Sequence, residues 1–111
     1  MSRYYIAMRS IGERSNDPAL LVLTSLADGP KHGYAITQDV RELSGIALGP
    51  GTLYGVLARL EERGLIEPLP AEARRHPYRL TGAGGAALHD ELRSLERVAR
   101  AGLSRLKAAT A

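Results

Sequence analysis

The 111-residue sequence has no Cys, no Trp and no Phe. Without thiols there is no disulfide framework, no thiolate nucleophile and no cysteine zinc site. The aromatic complement is five Tyr, so every aromatic surface also carries hydroxyls. No apolar run approaches the ~20 residues needed to cross a bilayer. Residues 1–16 mix Arg with Tyr, Ile and Met and lack the apolar core of a secretion signal. The expectation is a cytoplasmic protein with no membrane segment. Lysine is also scarce: 13 of the 15 basic residues are Arg, against 12 acidic ones, for a net charge of +3. That charge is too mild to mark a nucleic-acid binder by itself, although Arg suits phosphate and base edges better than Lys does. The length fits one compact domain.

Signatures of catalysis are missing too. No Ser sits in a G-x-S-x-G elbow. His32, His76 and His89 are isolated and lack metal-ligand spacing. Residues Gly82 to Ala87 match G-x-G-x-x-A, but no further strand follows, and Gly102 to Lys107 contains no acid to hold a ribose. The reading is a non-enzyme with no metal and no cofactor.

What is present reads as helices and one hairpin. Asp17-Pro18 is an N-cap with proline at the first helical position. The run ALLVLTSLA after it is apolar almost all round, as in a buried helix, and Asp28-Gly29-Pro30 stops it. A second helix is expected from Gly33 to Leu43, with Tyr34, Ile36, Val40 and Leu43 facing inward. Gly49-Pro50-Gly51-Thr52 opens a third, which Gly64 closes, with Leu53, Leu57 and Leu60 as its stripe. Leu65 to Leu69 and Pro77 to Leu80 read as strands flanking a polar loop, and Thr81 caps a long last helix. The layout is mainly α with a small two-stranded hairpin: a winged helix-turn-helix over residues 17–81, a C-terminal dimerisation helix over 82–111, and a leader over 1–16 that is either a short helix or a frayed tail.

In such a layout the third helix enters a DNA groove and the hairpin touches the flanking backbone. Opposite its leucine stripe the third helix carries Gly51, Gly55, Ala58 and Arg59, small residues that allow close approach to a surface. Thr52 and Tyr54 flank this face, and the first-turn amides suit a phosphate. Arg59 either reaches DNA or pairs with Glu62. Arg74, Arg75 and His76 form a basic loop between the strands.

The last helix repeats Leu88, Leu92, Leu95, Ala99, Gly102 and Leu106 at coiled-coil spacing, with Leu103 beside them. It either clasps a second copy, giving a homodimer that reads a palindromic duplex, or folds back across its own domain.

Four blocks, ALLVLTSLADGPKHGYAI, GPGTLYGVLARLEERGLIEP, RRHPYRLTGAGGAAL and the terminal amphipathic helix, together resemble the PadR-like transcriptional regulators over about residues 18–108. The resemblance implies a dimeric DNA-binding regulator, usually a repressor, released by a small molecule. By position it implies that Tyr34 and the Pro50–Tyr54 turn meet the DNA backbone and groove, and that Arg74–His76 is the wing. The sequence departs from the family at Gly55, where Pro is frequent, and at Gly82-Ala83-Gly84-Gly85, where charged residues are common. A small hydrophobic or aromatic effector is expected, held by Tyr4, Tyr5 and Met8 against the partner's last helix. The alternative is a winged-helix module that binds another protein and no DNA.

Overall fold

A computed structural model describes residues 16–110. Its elements run α1 (Pro18–Leu26), β1 (Lys31–His32), α2 (Gly33–Ser44), α3 (Pro50–Glu62), β2 (Ile66–Pro68), β3 (Pro77–Leu80) and α4 (Gly82–Thr110). Each boundary has a local chemical cause. The Asp17 carboxylate accepts from the Ala19 amide at 2.8 Å and starts α1. Beyond its end, Lys31 reaches back to the Ser25 carbonyl and to Asp28, pinning the turn. That hydrogen bond, and then the Lys31 charge, hold the Asp28 carboxyl below its ordinary value. His32 caps α2 by accepting from the Ala35 amide at 3.4 Å. Gly45 and Gly64, at φ 75° and 73°, take the left-handed conformation that ends α2 and α3.

The core gathers around α1. Leu20 to Leu23 and Leu26 are buried with Ile36 and Val40 of α2, Leu53, Val56, Leu57 and Leu60 of α3, and Ile66 of β2. The expected α2 stripe is therefore half right. Ile36 and Val40 point inward, but Tyr34 is 71% and Leu43 54% exposed. Tyr34, two positions before Ile36, is turned about 200° from it around the helix and so lies on the outer face, and Leu43 sits in the last turn.

The hairpin forms as expected, with Ile66 opposite Leu80 and Pro68 opposite Tyr78, and it gains a third strand. Lys31 pairs with Tyr78 and His32 with Pro77, so the sheet order is β1-β3-β2. Two residues with no alternating pattern give no sequence signal for a strand. Their pairing nonetheless ties the turn before α2 to the base of the wing.

The glycine-rich start of α4 is a crossing point. Thr81 donates its amide to Leu65 O at 3.1 Å and its hydroxyl to Gly64 O at 2.6 Å, and it accepts from the Gly84 amide at 3.0 Å. Gly84 is buried against the Leu65 backbone, and a Cβ there would lie 1.9 Å from the Leu65 carbonyl oxygen.

Beyond this crossing α4 leaves the domain. Its 29 residues span about 43 Å at ~1.5 Å each, and every residue from 97 to 110 is exposed. The proposed dimer seam divides accordingly. Leu88 is 5% exposed and belongs to the domain's own core, which removes it from a seam between copies. Leu95 packs partly against that core. Leu92, Ala99, Leu103 and Leu106 are exposed. No helix of the described residues is long and apolar enough to cross a membrane.

Candidate nucleic-acid interface

The start of α2, the first turns of α3 and the wing converge on one open cleft of about 280 Å³. Its lining is His32, Gly33 and Tyr34 from the first segment, Tyr54 from the second, and Arg74, Arg75, His76 and Tyr78 from the third. All three tyrosines among the described residues meet here, and no carboxylate lines the cleft.

Each wall has a structural reason. Gly33 lets α3 come close: a Cβ there would meet the Tyr54 hydroxyl at 3.3 Å. Tyr34 is held by Gln38, one turn along α2, whose side-chain amide donates to the phenol oxygen at 2.8 Å. The Tyr34 O–H therefore remains able to donate elsewhere. The wing tip is a tight turn closed by reciprocal backbone bonds between Glu72 and Arg75, both 3.0 Å, with Ala73 at φ 56°. This places Arg74 at the extreme tip and Arg75 at the start of the segment that returns to β3. Arg75 Nη1 lies 3.3 Å from His32 Nε2. Arg79, the third arginine of this basic stretch, is neutralised by a 2.5 Å ion pair with Glu67 across the hairpin.

Of the residues expected from the sequence, Tyr34, Tyr54, Arg74, Arg75 and His76 come together in the cleft. Pro50, Gly51, Thr52, Gly55 and Arg59 do not line it, but are exposed on α3. No side chain caps the first turn of α3, and Pro50 has no N–H, so the Gly51 and Thr52 amides are the unsatisfied donors at that end. Gly51 and Gly55 face open space, with nothing within 4 Å of an added Cβ. Arg59 makes no ion pair with Glu62, and among the described residues its guanidinium has no acidic partner. Tyr4, Tyr5 and Met8 lie outside the described residues.

Three cleft residues had no site role in the sequence reading, His32, Gly33 and Tyr78. His32 drew attention as an isolated histidine without metal-ligand spacing, and the structure makes it the cap of α2. Tyr78 read as a strand residue, yet in a chain without Phe or Trp a tyrosine beside a basic loop was a signal. Burial raises the Tyr78 phenol above its ordinary value, with the Glu61 charge and Tyr54 adding to the effect. The folded state thus favours the neutral phenol, while the unfolded chain ionises it near pH ~10. Its contribution to stability is complete below that pH and is lost as the pH rises further. In urea titrations, the wild type is expected to lose stability between about pH 9 and 11 more steeply than Tyr78→Phe. Parallel curves would contradict this assignment.

Among the described residues no group of three or more His, Asp or Glu is arranged to hold a metal ion. The arrangement offers phenol, imidazole, guanidinium and backbone N–H donors on one surface, beside a helix face made of small residues. Such a surface suits the phosphates of a duplex.

Residues 22–90 match the family model described as the Transcriptional regulator PadR-like family. The chain is 51% identical over 85 residues to an uncharacterized 37.1 kDa protein in transposon TN4556 of Streptomyces fradiae, covering 77% of this chain and 25% of that protein. It thus spans a quarter of that relative's length. It is 43% identical over 84 residues to the transcriptional regulator Rv3488 of Mycobacterium tuberculosis, covering 73% of this chain and 78% of that one. The crystal structure of a PadR family transcriptional regulator from Eggerthella lenta superposes with a TM-score of 0.69 at 28% identity, over 92% of this chain and 91% of that one.

Proposed function

The chain belongs to the PadR-like family of transcriptional regulators, and from that premise we propose that it works in the cytoplasm as a homodimeric repressor. It binds a palindromic duplex and is released by a small hydrophobic or aromatic effector. One observation carries the DNA-binding part: three separate segments bring Tyr34, Tyr54, Arg74, Arg75 and His76 into one cleft without a carboxylate. In this reading the small-residue face of α3 enters the major groove, with Gly51, Thr52, Gly55 and Arg59 nearest the bases. The cleft and wing hold the adjacent backbone. Fluorescence anisotropy with duplexes from upstream of its own gene tests this. Affinity should favour one inverted repeat and fall steeply with salt. Equal binding to every duplex would count against it.

The dimer reading is supported by the exposed end of α4. Val98, Leu103 and Leu106 are each about two-thirds exposed at 66%, 69% and 65%, which makes an apolar surface that none of the other described residues covers. A second copy covers it, and together with Leu92, Leu95 and Ala99 it forms the seam. Leu103→Glu with Leu106→Glu is expected to convert two associated chains into single 11.9 kDa particles by light scattering while leaving the core intact. A wild type that is already single at micromolar concentration would overturn the dimer.

The repressor sense and the release by an effector are supported by the family resemblance. Removing residues 1–15, which carry Tyr4, Tyr5 and Met8, should abolish the response of DNA binding to any effector found. An unchanged response would remove those residues from the effector site.

A further inference from the structure

His32 stands in two hydrogen-bonding relations that a neutral imidazole cannot satisfy together. Its Nδ1 accepts from the Ala35 amide at 3.4 Å, and its Nε2 lies 3.3 Å from Arg75 Nη1, a group that only donates. A neutral ring has one acceptor nitrogen. The Ala35 amide belongs to the first turn of α2, where an N–H without a cap has no partner in its own helix. The Arg75 guanidinium is exposed and does not depend on this contact. The cap therefore keeps Nδ1 as the acceptor and puts the proton on Nε2. Two donors, Nε2–H and the guanidinium, then face each other across the mouth of the cleft, with no carboxylate among the described residues that line it. The Tyr34 hydroxyl nearby has its own proton to give.

We infer that His32 and Arg75 together bind one backbone phosphate of the duplex, with a phosphate oxygen seated between Nε2–H and the guanidinium. The assignment rests on the DNA-binding reading above and adds a residue to it. It gives His32 two linked tasks: the cap that starts α2 also sets the tautomer that presents a donor to DNA. The wing and the helix-turn-helix, otherwise joined here by two opposed donors, are then bridged by the anion they share.

Three measurements test it on the full chain. Long-range proton–nitrogen correlation should show the His32 proton on Nε2; a proton on Nδ1 overturns the assignment. Titration with inorganic phosphate at constant ionic strength should move the His32 ring signals in the wild type and not in Arg75→Ala. Absence of movement in the wild type also overturns it. The third compares duplex affinity for His32→Asn, Arg75→Ala and the double variant. Asn keeps an N-cap acceptor for α2 but is too short to share a ligand with Arg75. His32→Asn should melt close to the wild type and bind DNA about tenfold more weakly. The double variant should lose little beyond Arg75→Ala, because both side chains hold the same group. Wild-type DNA affinity in His32→Asn, or effects that multiply in the double variant, would sink the shared phosphate while leaving the DNA-binding reading intact. A wild type that moves with inorganic phosphate yet binds no duplex would instead remove that reading and confine the site to free phosphate, against the backbone assignment.

Discussion

Replacing Gly84 by Ala is expected to lower the thermal unfolding midpoint by roughly 10–20 °C, whereas Gly85→Ala, one position along, raises it by a few degrees. The contrast comes from what a methyl group meets. At Gly84 it would lie 1.9 Å from the Leu65 carbonyl oxygen and 2.8 Å from its carbon, both backbone atoms. Neither side can yield cheaply. The start of α4 is tied to the same turn between α3 and β2 by the Thr81 bonds to Gly64 and Leu65, and the next residue, Ile66, is buried in the core. Forcing the two apart costs about 3 kcal/mol, at the upper end of what overpacking usually costs. At Gly85 nothing lies within 4 Å of an added Cβ, so Ala gains about 0.5–1 kcal/mol from reduced backbone freedom in the unfolded chain. Thermal melts followed by circular dichroism check both. Equal midpoints for the two variants would contradict the close crossing of α4 over the turn at Leu65.

The second large effect concerns the wing. Arg74→Ala with Arg75→Ala is expected to reduce duplex affinity by about two orders of magnitude at moderate salt and to flatten its salt dependence. A cation that neutralises one phosphate contributes about 0.9 to the slope of log affinity against log salt. In a two-fold complex each residue counts twice, so losing both arginines from both copies should reduce the slope by about 3.6. A single bound chain would lose about half of that. The slope therefore reports both the chemistry and the stoichiometry. Because both arginines are exposed and, among the described residues, unpaired to an acid, the fold should tolerate their removal. An unchanged slope would mean that the wing touches no phosphate, as in a module that binds another protein through this face.

The helices and the hairpin were legible in the sequence because each rests on short-range chemistry. Asp17-Pro18, the left-handed glycines Gly45 and Gly64, and Thr81 before α4 are cues that act within a turn of themselves. The third helix likewise buries Leu53, Leu57 and Leu60 as its periodicity requires. What was not legible depends on approach between distant segments. The two residues of β1 are strand-like only because β3 lies beside them. The glycines at 82–85 read as a weak, uncharged helix start or as a dinucleotide decoy, when one of them, Gly84, is required by a backbone crossing. Leu88, Leu92 and Leu95 belong to one heptad pattern, but their fates differ with their angle to the domain: Leu88 is core and Leu95 packs partly on it, while Leu92, turned aside between them, is surface. Spacing along a helix says which residues share a face and says nothing about where the neighbouring element stops.

The candidate site divides in the same way. Basic residues on a turn, and small residues on one helix face, are visible as composition. Their convergence with Tyr34 and Tyr54 is not, since it depends on how α2, α3 and the hairpin pack over α1. The pairing of Arg75 with His32 spans 43 positions and has no local signature at all.

The central claim is that the cleft, the small-residue face of α3 and the paired arms form one surface for a specific duplex. Incubating the purified protein with fragments of its own genome, recovering the bound ones and sequencing them tests this most directly. The account predicts a small set of enriched fragments sharing an inverted repeat, with half-sites spaced about 34–36 Å or one helical turn apart, and their loss in the Arg74→Ala, Arg75→Ala double variant. Recovery of fragments in proportion to their abundance, or the same set from the double variant, would contradict it.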